Sequence, residues 1–196
     1  MKRRMVGKAG GFTLVELLVT LGLGMLVLAA VSTTFMGQMR FYSAQAQVNE
    51  MEQNARGALD LITRELKMAG YNPAGASFNG VTVSSPTQLQ IKADLNAVSG
   101  IQNSTDENIT YAYDNSTLQI TRTRGGETAQ VLADNITALT FTCYKADGAT
   151  TTTTSSEIRQ VKVEITARTA KPDPNSNGGY RTYVVTATIT PINLGL

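Results

Sequence analysis

The chain has 196 residues, with 17 basic and 15 acidic side chains, no histidine and a single cysteine. Metal centres built from His and Cys, Ser-His-Asp triads and Cys-His pairs are therefore excluded within one chain. A net charge of +2 is far from a strongly cationic nucleic-acid surface, and no phosphate-cradling glycine loop occurs.

The chain opens with Lys2, Arg3, Arg4 and Lys8, then Gly10-Gly11, then an apolar run from Phe12 to Phe35 in which Glu16 is the only ionisable side chain. As a helix those 24 positions span roughly 36 Å, enough for a bilayer core of about 30 Å. Thirteen of them are Leu, Val or Phe. At about −0.3 to −0.6 kcal/mol each, these outweigh one carboxylate costing at most about 3.5 kcal/mol. The run predicts a membrane-spanning helix, with the basic head in the cytoplasm and everything after Phe35 outside. It is too long for the apolar part of a secretory signal, and the small pair Gly10-Gly11 lies before it, where a secretory cleavage site would follow it.

An ionisable group inside a membrane is a functional candidate that needs a partner. Glu16 has two readings. It sits near enough to the interface to be hydrated, or it pairs with a cation.

Helical periodicity continues beyond Phe35. Val48, Met51, Ala55, Ala58, Ile62, Leu66 and Ala69 recur at steps of three or four and form one apolar face. Glu52–Arg56 and Asp60–Arg64 are i,i+4 pairs with the acid first. No proline lies between Phe12 and Tyr71, and Gly70 before Tyr71-Asn72-Pro73 is a stop. One helix is predicted from about Phe12 to Ala69, roughly 85 Å long, with Gly22, Gly24, Gly37 and Gly57 as soft points.

After Pro73 the composition turns to Thr, Asn, Ser and Val. Strands are predicted at Val81–Val83, Leu89–Lys92, Ile109–Tyr113, Leu118–Arg124, Ala129–Leu132, Ile136–Cys143, Ile158–Arg168 and Arg181–Ile192. Asp114-Asn115-Ser116 suits a tight hairpin. Val161, Val163, Ile165 and Ala167 alternate with polar residues, as do Tyr183, Val185, Ala187 and Ile189, so each strand buries one face. Cys143 falls in such an alternation and reads as a small core residue rather than a reactive thiol. Lys145 to Glu157, with five successive threonines, and Lys171 to Gly179 read as exposed, mobile loops. The fold class is α+β: a long helix packed on an antiparallel β-domain, in the form of a ladle.

The basic head, Gly10-Gly11, Phe12-Thr13-Leu14-Val15-Glu16 and the apolar helix resemble the class III signal of type IV pilins and type II secretion pseudopilins. The resemblance implies that prepilin peptidase cuts after Gly11 and that the new amine on Phe12 is methylated. It further implies that Glu16 pairs with that amine on a neighbouring subunit, fixing axial register. The segments would be a leader at 1–11, a transmembrane and assembly helix at 12–35, its amphipathic half at 36–70, and a β-rich domain at 71–196. Loss of the leader leaves 13 basic against 15 acidic residues. The implied partners are other pilin and minor pilin subunits, prepilin peptidase, the inner-membrane assembly platform and membrane lipid. The helix lacks the proline, and the chain the disulfide, of many major pilins. Arg56, Asp60-Leu61, Arg64-Glu65-Leu66, Ala69-Gly70-Tyr71, Glu107 to Tyr111, Asp134 to Ile136, Val161 to Val163 and Tyr180 to Thr182 are similar to PilW-type minor pilins. That similarity implies a low-abundance subunit initiating or capping a type IV pilus. J-type pseudopilins of type II secretion share the architecture and are the rival.

Other classes fare worse. Arg122 and Arg124 could share a face with Lys162 or Arg168 as a DNA-binding patch, but a solvated face explains them. Asp94, Asn96, Asp106 and Glu107 offer oxygen ligands, yet their spacing matches no helix-loop-helix calcium loop. Asp106, Glu107 and Asp114 could be paired carboxylates, but nothing sets two around a cleft. No enzyme activity, cofactor or metal is expected. The Asn-x-Thr tripeptides at Asn103, Asn108, Asn115 and Asn135 are the chance yield of a Thr- and Asn-rich chain.

Overall fold

The computed structural model describes residues 10–97, 101, 106–173 and 179–194. The basic residues before Gly10, Asn103, and residues 174–178 of the second loop lie outside the described residues. The chain divides into two compact units, Met1–Gln45 and Ala46–Leu196. One helix, α1 (Leu14–Met68), contributes to both and runs through Gly22, Gly24, Gly37 and Gly57.

In the first unit, α1 presents apolar side chains all round. Phe12, Leu14, Leu17, Val27 and Phe35 are all more than half exposed. It is long and apolar enough to cross a membrane, and none of its apolar window is buried. The hydroxyls of Thr20, Thr33 and Thr34 donate back to carbonyls one turn earlier, at 2.9–3.0 Å. That satisfies them without water.

The second unit is an α+β domain. Its helical face, Met51, Ala55, Ala58, Leu59, Ile62 and Leu66, is buried in a single core with the sheets, and Val48 is partly buried against it. Leu59 joins the predicted stripe because a core-facing stripe is wider than a strict three-four seam. Gly70, at φ +79°, ends the helix, and its N–H donates to the Lys92 carbonyl at 2.9 Å.

All eight predicted strands are present: β1 (Val81–Ser85), β2 (Gln88–Lys92), β3 (Asn108–Asp114), β4 (Gln119–Arg124), β5 (Gln130–Ala133), β6 (Ile136–Tyr144), β7 (Gln160–Arg168) and β8 (Thr182–Ile189). They form two antiparallel meanders, β1-β2-β3-β4-β5 and β6-β7-β8. The sheets are joined by the Tyr113 hydroxyl, which donates to Thr137 O at 2.9 Å, and by Phe141 N–H donating to Pro86 O at 2.7 Å. Alternation places Val161, Val163, Ile165 and Ala167 in the core at 1% exposure or less. Each large aliphatic so buried contributes about 1.5–3 kcal/mol.

Two local expectations change. The β3–β4 connection is a four-residue loop, Asn115 to Leu118, because Asp114 pairs with Gln119. Leu118 takes the left-handed conformation there, at φ 56°. The threonine loop is also more ordered than a solvated linker. Asp147 accepts from the N–H groups of Ala149 and Thr150 at 3.0 and 2.9 Å and from the Thr150 hydroxyl. Lys145 pairs with Glu157 at 3.0 Å.

Candidate assembly segment and the buried ion pair

The segment that carries the sequence motif begins as an exposed strand of chain, Gly10 to Thr13, before α1. Thr13 caps the helix: its hydroxyl oxygen accepts from the Glu16 N–H at 3.3 Å. Thr13-Leu14-Val15-Glu16 thus has the S/T-x-x-E spacing of a capping box, a signal present in the sequence that the motif reading passed over. Glu16 lies in the first turn, where the helix dipole favours a carboxylate. Phe12 is 81% exposed. A side chain added at Gly11 would meet nothing within 4 Å, and its φ lies outside the left-handed range. The fold of the chain therefore makes no demand for glycine at Gly11.

In the second unit the structure builds a polar site that sequence reasoning missed. Glu65 on α1 accepts from Arg122 Nε at 3.0 Å and Nη2 at 2.7 Å, and its other oxygen accepts from the Tyr111 hydroxyl. Arg122 and Tyr111 are direct cross-strand partners on β4 and β3. Asp106 accepts from Arg122 at 3.3 Å and from Arg124 at 2.9 Å. Burial, followed by the Glu65 hydrogen bond and charge, raises the Tyr111 hydroxyl. Burial alone would lower Arg122, but the hydrogen bond and charge of Glu65 outweigh it and hold the guanidinium raised. The signal was available: Arg122 shares a strand face with Ile120, which is fully buried, and Glu65 adjoins Leu66 of the apolar stripe. A cavity of about 260 Å³ beside this pair is edged by Met68, Ile91 and Leu95.

The rival site residues are dispersed. Arg122 and Arg124 belong to the first sheet and Lys162 and Arg168 to the second, so they do not share a strand-to-strand face. Arg122 and Arg124 are also neutralised by Glu65 and Asp106, while Lys162 pairs with Glu164. Asp94 and Glu107 are buried and bind backbone: Glu107 Oε1 accepts from Leu95 and Asn96 N–H, both at 3.0 Å, and Asp94 Oδ1 from Ala97 N–H at 2.9 Å. Among the described residues no three His, Cys, Asp or Glu side chains gather as a metal cluster. Asp106 and Glu107 precede β3 while Asp114 ends it, bound to Ser116, so these carboxylates flank no common cleft. Cys143 is buried in the core, where burial pushes its thiol up to about 11.

An α+β domain whose α1 extends into an exposed apolar segment has the architecture of a pilin- or pseudopilin-like protein. Residues 7–32 match the prokaryotic N-terminal methylation motif. Residues 44–187 match the family described as prepilin peptidase-dependent protein B, and the chain belongs to that family. No curated protein and no solved structure matches the chain.

Proposed function

We propose that this chain is a precursor cut after Gly11 by prepilin peptidase, methylated on the Phe12 amine, and held in the inner membrane with its β-domain outside until it joins a filament. The observation that carries this reading is an apolar helical surface with none of its membrane-length window buried, on a helix whose beginning falls in the methylation motif at residues 7–32. Such a surface needs lipid first and sister helices afterwards. The glycine at position 11, on which the fold makes no demand, is then explained by the peptidase that reads it. Glu16 would supply register by pairing with the Phe12 amine of a neighbouring subunit.

The first reading of the filament is a secretion-type pseudopilus, with this chain as a J-type subunit, which fits a family described as dependent on prepilin peptidase. The second reading is a PilW-type minor pilin that initiates or caps a type IV pilus. It is favoured by the dispersed similarity from Arg56 to Thr182. Neighbouring genes for secretion components or for pilus subunits separate the two.

The common mechanism is tested by two variants. Gly11→Ser is expected to retain its leader, read by intact mass. Glu16→Ala is expected to be cut normally yet to be depleted from the sheared filament fraction. Normal filament entry by both variants would refute the account.

A further inference from the structure

The apolar surface of α1 does not end at Phe35. Met36, Met39, Phe41 and Tyr42 continue it, each more than half exposed, and only at Ser43 does the sequence turn to Ser, Ala and Gln. Arg40 stands within this extension and is exposed too. It is the only charged side chain between Glu16 and Glu50, and no carboxylate among the described residues pairs with it. Met39, Arg40, Phe41 and Tyr42 succeed one another at steps of about 100°, so they encircle the helix and offer no single face to a packing partner. A cation on a long apolar stem beside two aromatic rings suits the layer where lipid headgroups meet hydrocarbon.

The length of the helix fits that placement. From Leu14, where α1 begins, to Phe41 is 27 residues, or about 40 Å. A bilayer with its headgroup layers measures about 40–45 Å, of which the hydrocarbon core takes about 30 Å. With Leu14 in one headgroup layer and Phe41 in the other, the core holds about 20 residues, Leu18 to Gly37. That stretch has no charged and no amide side chain, and the hydroxyls of Thr20, Thr33 and Thr34 donate to the helix's own carbonyls. Glu16 falls just before it, and Gln38 and Arg40 just after it. An outer boundary at Phe35 would instead leave Met39, Phe41 and Tyr42 in water.

We propose that Arg40, Phe41 and Tyr42 bind the phosphate headgroups of the outer leaflet and fix how deep α1 sits. This rests on the membrane residence proposed above and carries the membrane-bound stretch on from Phe35 to Tyr42. The Arg40 guanidinium meets phosphate oxygens with paired N–H donors, while Phe41 and Tyr42 set their rings at the edge of the hydrocarbon. Held at that depth, Glu16 lies in the inner headgroup layer and keeps its contact with water.

The chain has no tryptophan, so one introduced indole reports its own depth. Full-length Tyr42→Trp, Val27→Trp and Leu14→Trp proteins are reconstituted in phosphatidylcholine vesicles in which part of the lipid carries bromine, either near the headgroup or near the chain end. Folding is checked by circular dichroism. Depth is read from whichever face is nearer, so the direction of insertion does not matter. The indoles at positions 42 and 14 are expected to be quenched several-fold more by shallow bromine than by deep, and that at position 27 the reverse. Adding Arg40→Glu sets a carboxylate against the phosphates. It is expected to shift the emission at position 42 to that of a water-exposed indole and to remove most of its quenching, which an indole anchoring itself would not show. Quenching at position 27 with none at 42, deep quenching at 14, or indifference to Arg40→Glu would each overturn the anchor while leaving membrane residence intact. No quenching at position 27 would overturn membrane residence, and the anchor with it.

Discussion

The pair formed by Glu65 and Arg122 ties α1 to the first sheet and allows a quantitative test. Their side chains are 16% and 15% exposed, with N···O at 2.7 Å. At a charge separation of about 4 Å and an effective dielectric of about 20, the attraction is about 4 kcal/mol, much of it offset by desolvation. Removing one partner strands the other. Arg122→Met leaves Glu65 charged with only the Tyr111 hydroxyl as a partner among the contacts described. Loss of one member of a buried pair costs about 3–5 kcal/mol, and residual solvent access here brings the expectation to about 3 kcal/mol. Glu65→Gln should cost less, about 2 kcal/mol, because Arg122 retains Asp106 at 3.3 Å, a contact of the exposed type. The double variant leaves no buried unpaired charge, so it should cost about 3 kcal/mol rather than the sum, giving a coupling near 2 kcal/mol. Urea unfolding of the full-length chain in non-ionic detergent, followed by tyrosine fluorescence and far-ultraviolet circular dichroism, measures all three. Additive single effects, or an Arg122→Met cost below about 0.5 kcal/mol, would refute the claim that this pair fastens helix to sheet.

Two further outcomes follow from the same domain. Gly80→Ala would set a Cβ 2.4 Å from Gly70 N and 2.5 Å from Gly70 Cα; backbone cannot yield as a side-chain tip can, so a loss of about 3 kcal/mol is expected in the urea series, and an unchanged midpoint would contradict the close approach. Alkaline pH should destabilise the fold, because burial pushes the Cys143 thiol up to about 11 and raises the Tyr111 hydroxyl, whereas the unfolded chain releases these protons near about 8.5 and 10. The unfolded state then binds fewer protons, so stability is intact below about pH 8.5 and falls as pH rises toward about 11; Cys143→Ala should remove the earlier part of the decline, and a flat unfolding midpoint across that window would count against it.

Much of the fold was legible because its signals are local. A long apolar run, a three-four stripe and eight alternating segments fix α1 and every strand to within three residues of the observed ends. Val161 to Ala167 shows why: burial at every second residue needs no knowledge of the partner strand. The partition into two sheets was not legible. It depends on which carbonyls the Tyr113 hydroxyl and the Phe141 N–H reach, contacts between residues more than twenty positions apart. Leu118 in the left-handed conformation was likewise hidden, since leucine gives no turn signal and the register Asp114↔Gln119 imposes it. The ion pair was half legible. Arg122 lies on the same face of β4 as Ile120, so an inward arginine could be inferred, but its partner is 57 residues away on the helix.

The opening motif gains from the structure a division of duties at Glu16. As the first-turn acid of α1, with Thr13 as its cap, it receives helix-dipole stabilisation of about 0.3–1 kcal/mol. A carboxylate at the bilayer centre costs about 2.5–3.5 kcal/mol, an upper bound for a residue in the first turn. The dipole therefore offsets part of the cost and leaves at most roughly 2–3 kcal/mol for a cation to recover. Thr13 takes up the Glu16 N–H but leaves its carboxylate free to bind elsewhere. In the proposed pathway, cleavage after Gly11 creates a cation four residues before Glu16, at the Phe12 amine. The uncut precursor has a peptide bond there instead. Pairing of Glu16 with a neighbour's amine would thus become available only after processing, so a subunit that kept its leader would lack the attraction that draws it into register.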